Sequence, residues 1–177
     1  EDIVGMGLGA FTDRQGLQSE LSREGYTQEE MEASGLLLYS LGKTHTLAIP
    51  YHDKAGRLLG LAFRPPISEE ELKKQGLSKY LYTTGLDKSQ GMIGFVTARG
   101  SKSVAVVEGV LDSLYINSRM ARDGQKGRPA VSLGGASLSV SHIKLLESTG
   151  TQELLLALDM DEAGTEGTEK ALRLLLD

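Results

Sequence analysis

Two stretches decide how this 177-residue chain folds: Ser103-Val104-Ala105-Val106-Val107-Glu108-Gly109 and Glu153-Leu154-Leu155-Leu156-Ala157-Leu158-Asp159-Met160-Asp161. Each holds a short apolar run that ends abruptly in acid. Apolar runs of this length, without polar alternation, suit strands covered on both faces. Between them Leu111 to Arg122 has helical spacing, and Ala130-Val131-Ser132-Leu133 reads as a second strand ended by Gly134-Gly135. Ser139 to Glu147 reads as a second helix with Ser139 as N-cap, and residues 162–176 as a third. The order β-α-β-α-β-α with short connections predicts a parallel sheet with helices on its faces. Ligands of such sheets bind beyond the carboxyl ends of the strands, which is where the acids fall.

Upstream the rhythm differs. Residues 14–24 and 27–37 read as two short helices, the second opened by Thr27 with Glu30 completing a capping box. Thr46-Leu47-Ala48-Ile49-Pro50-Tyr51 and Leu58-Leu59-Gly60-Leu61-Ala62-Phe63 flank the turn composition Asp53-Lys54-Ala55-Gly56, which predicts a β-hairpin. Pro50 places an edge or a bulge on its first strand. Residues 68–76 read as an exposed helical turn or loop, Lys79-Tyr80-Leu81-Tyr82 as a short strand and 83–91 as loop. The fold class expected is α/β, a small α+β subdomain over 1–100 leading into the sheet domain over 101–177. The chain stops inside an apolar helical pattern, as a piece of a longer protein would.

Composition narrows the function. Cysteine is absent, which removes disulfides and thiolate metal sites from this chain. No run approaches the ~18 apolar residues of a membrane span, and a cytoplasmic setting is expected. The net charge of −5 argues weakly against a nucleic-acid binder, but its distribution is uneven. Residues 41–100 carry 9 bases against 5 acids, and 101–150 carry 6 against 4. The flanks are acidic, with 8 acids and 2 bases in 1–40 and 7 acids and 2 bases in 151–177.

Glu108, with Asp112 one turn on, and Asp159-x-Asp161 would gather carboxylates at one sheet edge. Hard oxygen donors of this kind suit Mg²⁺ or Mn²⁺. Clustered acids repel, so a fold that keeps them supplies a cation or raised pKa values. Each acid taken alone also has a structural reading: Asp161 as the cap of the last helix, Asp112 as a solvated side chain. His45, His52 and His142 show no metal-ligand spacing, and His142 reads as lying on a helix face without a role. Tyr80 and Tyr82 share one face of a strand and read as core packing rather than as a base-stacking platform.

The segment Val106-Val107-Glu108-Gly109-Val110-Leu111-Asp112-Ser113 resembles the first motif of TOPRIM domains, and Leu158-Asp159-Met160-Asp161-Glu162-Ala163-Gly164 the second. Val131-Ser132-Leu133-Gly134-Gly135-Ala136 fits the strand and glycine turn between them. The upstream half resembles the catalytic core of DnaG-type primases. Gly25-Tyr26-Thr27-Gln28-Glu29-Glu30 and Ser34-Gly35-Leu36 are similar to its opening, and Ile49 to Arg64 to its central hairpin. Lys79-Tyr80-Leu81 and Lys88-Ser89-Gln90-Gly91-Met92-Ile93-Gly94-Phe95 are similar to its lysine-bearing stretch. Primases usually carry arginines just before the hairpin strand. Here that stretch is Lys43-Thr44-His45-Thr46, which reduces the basic contact to Lys43 and His45.

The resemblance implies synthesis of RNA primers on single-stranded DNA from ribonucleoside triphosphates, with two Mg²⁺ ions (or Mn²⁺) bridging carboxylates and phosphates. Glu108 would stand nearest the reacting end, as ligand or as general base, with Asp159 and Asp161 as metal ligands and Asp112 as a weaker or more distant one. Arg64, Lys79, Lys88 and Lys43 would meet template or nucleotide phosphates. A third acidic motif, a zinc-binding template reader and a replicative-helicase contact would lie outside this chain, and no membrane partner is implied. Two other classes remain open at this point, a TOPRIM nuclease and a non-catalytic module that grips DNA or a helicase.

Overall fold

The computed structural model describes residues 7–37, 42–124, 127–135 and 137–176. Ala136, the last residue quoted for the glycine turn, lies outside them. The chain divides into two compact units. One takes the residues up to Pro50 together with Gly60–Leu86, the other Tyr51–Leu59 together with Asp87 onward. Residues 87–100, which the sequence boundary at 101 groups with the N-terminal part, thus fall in the second unit.

The first sheet has the order β1-β2-β3-β4, with β1 Gly9–Ala10, β2 Leu47–His52, β3 Leu58–Arg64 and β4 Leu81–Tyr82. Helices α1 (Arg14–Arg23) and α2 (Gln28–Ala33) lie between β1 and β2, and α3 (Glu69–Gln75) between β3 and β4. The expected capping box forms at α2: Glu30 N–H donates to Thr27 Oγ1 at 3.2 Å and Thr27 N–H to Glu30 Oε2 at 2.8 Å. The helix stops at Ala33 rather than reaching residue 37. Gly35 has a φ of +74° and faces the Thr84 backbone, where a Cβ would come within 3.0 Å of Thr84 N. That turn suits glycine and ends the helix.

The hairpin is present. Asp53 Oδ1 accepts from the Ala55 and Arg57 N–H groups at 2.8 and 2.9 Å, and Arg57 Nε donates to Asp53 Oδ2 at 2.7 Å. β1 pairs with Leu47 and Ala48, which leaves Pro50, lacking an N–H, outside that ladder. The strand expected over 79–82 is confined to Leu81–Tyr82, paired with Phe63 and Ala62. Extending the register would bring Lys79 opposite Pro65, which has no donor to give.

The second unit holds the parallel sheet, in the order β6-β5-β7, with β5 Ser103–Val107, β6 Ala130–Ser132 and β7 Glu153–Ala157. Helix α5 (Val110–Arg122) covers the face carrying Ala105, Val107 and Ala130 through Ile116. On the other face Val104, Val106, Val131 and Leu133 form a core with Leu138, with Leu146 of α6 (Val140–Glu147) and with Ala171 of α7 (Glu162–Leu176). Met92, Phe95 and Ala98 join that core, the last two from α4 (Phe95–Ala98), a helix the sequence reading did not resolve. The 3₁₀ turn Lys88–Gln90 falls in the stretch read as loop.

The outer edge of β6 is closed by side chains. Asn117, only 3% exposed, accepts from Ala130 N–H at 2.9 Å and donates to Ala130 O at 2.8 Å. Ser113 Oγ also donates to Ala130 O, at 2.9 Å. Ile93 and Ser132 exchange backbone bonds at 3.0 and 3.1 Å. An edge strand whose polar groups are taken in this way presents no template for further pairing.

Candidate functional site

The connection from β5 runs to β6 on one side, and the connection from β6 crosses to β7 on the other, so the strand order reverses at β5. Such a switch point opens a crevice beyond the strand ends. β5 pairs with β7 in the register Val107 to Ala157. Glu108 therefore follows the last paired residue of β5 directly, and Asp159 lies two residues past that of β7. Both are exposed. A cavity of about 210 Å³ adjoins this end, lined by Glu108, Leu133, Gly135, Leu158 and Gly164 among others.

The local chain around the acids is tightly built. Asp112, in the first turn of α5, folds its carboxylate over Gly109, whose missing Cβ would lie 2.0 Å from Asp112 Oδ2. Any larger residue at 109 would displace that carboxylate. Asp161 Oδ1 accepts from Gly164 N–H at 2.8 Å, so one carboxylate oxygen is engaged at the start of α7. A Cβ at Gly164 would come within 2.0 Å of the Asp159 carbonyl oxygen, so glycine is what lets the Asp159 backbone pass against the helix. Met160 between the two acids is fully exposed. Among the described residues, no group of three or more histidine or acidic side chains stands close enough to hold a metal ion. The donor set is nonetheless all oxygen and open to water. Mg²⁺ binds through one or two carboxylates and keeps several waters, so these residues fit a partly hydrated ion completed by phosphate oxygens.

The end of β6 is tied to this edge. Ser132 Oγ donates to Glu108 O at 3.0 Å and accepts from Gly134 N–H at 3.2 Å. Tyr51, fully buried, donates its hydroxyl to Leu133 O at 3.0 Å. Lys88 Nζ donates to Gly134 O at 3.2 Å, and its half-buried position lowers the ammonium pKa from the ordinary value. One predicted phosphate ligand is thus held at the carboxyl end of the sheet.

His142 overturns its sequence reading. It is 3% exposed, its Nδ1 lies 2.9 Å from Ser139 Oγ, and its Nε2 lies 2.9 Å from Lys88 O. The signal available was Ser139-x-x-His142, which has the spacing of a capping box with His in place of Glu.

The other basic residues lie in the first unit. Arg64 is buried. It is 5% exposed, with its guanidinium 5.3 Å from the centre of the Tyr80 ring. Its buried Nη1 has no hydrogen-bond partner. Lys79 pairs with Glu69, and that ammonium holds the Glu69 carboxyl below its usual pKa, with smaller help from Arg64 and Lys73. Lys43 is exposed. His45 is buried. Its Nε2 meets Ser78 O at 2.9 Å and its Nδ1 meets Thr44 Oγ1 at 2.9 Å. The Tyr80 and Tyr82 rings lie 6.2 Å apart and half-buried, as core packing requires, and burial pushes the Tyr82 hydroxyl up to about 12.

Residues 105–177 match the Toprim-like family. The DNA primase of Borreliella burgdorferi is 29% identical over 189 residues, covering 99% of this chain and 33% of that protein. The DNA helicase/primase of Enterobacteria phage T3 is 26% identical over 170 residues, covering 93% of this chain and 27% of that protein. This chain therefore spans a third or less of these curated relatives. Among solved structures, the RNA polymerase domain of the Mycobacterium tuberculosis primase DnaG superimposes with a TM-score of 0.72 at 26% identity, over 97% of this chain and 59% of that one.

Proposed function

We propose that this chain, which matches the catalytic core of DnaG-type primases in sequence and in fold, joins ribonucleotides into short RNA primers on single-stranded DNA. The observation that supports the reading is that Glu108 directly follows β5 and Asp159 lies two residues past β7, the adjacent parallel strand, at the switch point of the sheet.

The 3′-hydroxyl oxygen of one nucleotide forms a bond to the α-phosphorus of the next, and the bond to pyrophosphate breaks. Glu108, exposed beside the crevice, takes the hydroxyl proton or holds an ion beside it. Glu108 and Asp159, with Asp161 and Asp112 as further candidates, would hold Mg²⁺ or Mn²⁺, which when bound stabilises the charge gathering on the phosphate oxygens. Lys88 supplies a fixed positive charge, and the buried Arg64 guanidinium adds positive potential for phosphates. Lys79 and Lys43 add exposed charge for the template backbone. Single-stranded DNA and ribonucleoside triphosphates are the partners, with a replicative helicase reached through regions outside this chain. No helix among the described residues is long and apolar enough to cross a membrane.

Glu108→Gln tests the reading in the full-length protein, with single-stranded DNA, labelled ribonucleotides and Mg²⁺. Losing a proton acceptor costs roughly 10²–10⁴-fold, so dinucleotide synthesis should fall by about that factor while the circular dichroism spectrum and melting temperature stay unchanged. Full activity in the variant overturns the mechanism. A second reading, a module that only grips DNA or a helicase, draws on the lack of a close three-ligand cluster among the described residues. It predicts DNA affinity equal with and without Mg²⁺ and no synthesis in the wild type.

A further inference from the structure

We infer that His142 is a positioning residue for Lys88, holding the lysine's backbone so that its ammonium is fixed at the carboxyl end of β6. The inference rests on the reading of Lys88 as a contact for nucleotide phosphates.

The tautomer follows from the partners. Ser139 N–H lies 3.3 Å from His142 Nδ1 and can only donate, so Nδ1 is an acceptor and carries no proton. The proton is then on Nε2, and its partner at 2.9 Å, the Lys88 carbonyl, can only accept. The two ends of the ring agree on one neutral form. Ser139 Oγ, 2.9 Å from Nδ1, is free to rotate its hydrogen toward that nitrogen.

Nδ1 alone completes the capping box of α6. The Nε2–H is directed out of that helix, to a residue 54 positions earlier in the chain. The segment it meets is pinned a second time, since Asp87 Oδ1 accepts from Ser89 N–H at 2.9 Å and from Ser89 Oγ at 2.7 Å. Lys88 is thereby held at both ends, its carbonyl by His142 and its Nζ by Gly134 O at 3.2 Å. A lysine stem has four rotatable carbons, and a bound phosphate must ordinarily pay to order them. Fixing both ends beforehand removes much of that cost and sharpens the position of the charge.

The two partners of His142 can be removed separately. In His142→Asn the amide oxygen takes the place of Nδ1 and keeps the capping box, but no donor reaches Lys88. In His142→Gln the longer amide can place an N–H where Nε2 stood or can turn its oxygen back into the capping box, and protection of the Ser139 amide tells which it does. Lys88→Met removes the ammonium and keeps the stem. Binding of inorganic tripolyphosphate to the full-length protein is measured by calorimetry for each variant, with melting temperature alongside. The expected result is weaker binding by about 5–10-fold in His142→Asn with its melting temperature little changed, most of the affinity restored in His142→Gln, and a larger loss in Lys88→Met.

Weakening in Lys88→Met with none in His142→Asn overturns the positioning role and leaves the primase reading standing. Equal weakening in both histidine variants, in step with lost melting temperature, reduces His142 to a structural cap and also overturns it. Unchanged binding in Lys88→Met removes both the role and the reading of Lys88 beneath it. Nitrogen-15 spectra of wild-type imidazoles give a check that needs no variant: protonated Nε2 is expected for His142, and protonated Nδ1 refutes the geometry.

Discussion

Replacing Asn117 by Ala strips the outer edge of β6 and should be among the most costly polar-to-alanine changes in the second unit. Two bonds are lost at one backbone residue, Ala130 N–H to Asn117 Oδ1 and Asn117 Nδ2 to Ala130 O. The Ala130 carbonyl keeps Ser113 Oγ as donor, but its N–H loses the acceptor that faces it. Leaving a buried donor unpaired costs about 1–3 kcal/mol, and a lost hydrogen bond with a surviving alternative about 1 kcal/mol. The sum is about 2–4 kcal/mol, which for a chain of this size lowers the melting temperature by roughly 4–16 °C. Urea unfolding followed by circular dichroism gives the size, and native-state hydrogen exchange gives the place, since the Ala130 amide should lose protection before its neighbours in β5. Asn117→Asp adds a test of sign. Its buried carboxyl has a raised pKa when folded, so the variant should lose stability as pH rises above the unfolded value of about 3.9. A loss under about 1 kcal/mol in Asn117→Ala, with the Ala130 amide still protected, would refute the assignment of this edge to Asn117.

Two further outcomes can be measured directly. Gly94 has a φ of +82°, and a Cβ there would meet Ala130 O at 2.4 Å and Ser113 Oγ at 2.5 Å, so Gly94→Ala should cost well over the ~1–2 kcal/mol of the backbone conformation alone; near-wild-type urea stability would contradict that packing. Backbone donors, chiefly Arg57 N–H, hold the Asp53 carboxyl below its usual pKa. Its stabilisation is therefore complete above the unfolded value and disappears as pH falls through the folded one. Asp53→Asn should flatten the acid limb of the stability curve, and an unchanged limb would show that the hairpin turn does not depend on this charge.

How far the chain could be read in advance depended on the range of the interactions. The parallel sheet was legible because β5 and β6 carry their burial in consecutive residues and acids follow β5 and β7 closely, although β7 itself alternates between exposed and half-buried positions rather than being covered on both faces. The capping box at Thr27 and the N-cap at Ser139 are equally local. Arg64 and the two buried histidines were not legible in that way. A basic residue at a strand end looks the same in sequence whether it meets solvent or the ring of Tyr80, 16 positions on. His45 and His142 are buried because their Nε2 atoms meet carbonyls 33 and 54 residues away, and no periodicity records such a pairing. The short helix Phe95–Ala98 escaped because four residues are too few to show a repeat. The boundary at 101 marks the change from mixed to alternating elements, whereas the units follow the packing of Tyr51 and Met92.

That the hairpin tip, Tyr51–Leu59, is counted with residues 87 onward has a consequence for the order of events during synthesis. The first unit is broken in two by the tip, and the second is broken by the twenty-seven residues Gly60–Leu86. On the ribosome Tyr51 emerges more than eighty residues before Leu133, the carbonyl its hydroxyl will bond. At a typical 5–20 residues per second the tip waits several seconds for the strand it packs with. During that interval its buried surface is open to whatever chaperone or neighbour is at hand. A nascent chain arrested before residue 133 should therefore show the tip as readily cleaved, and one arrested past β7 should show it protected.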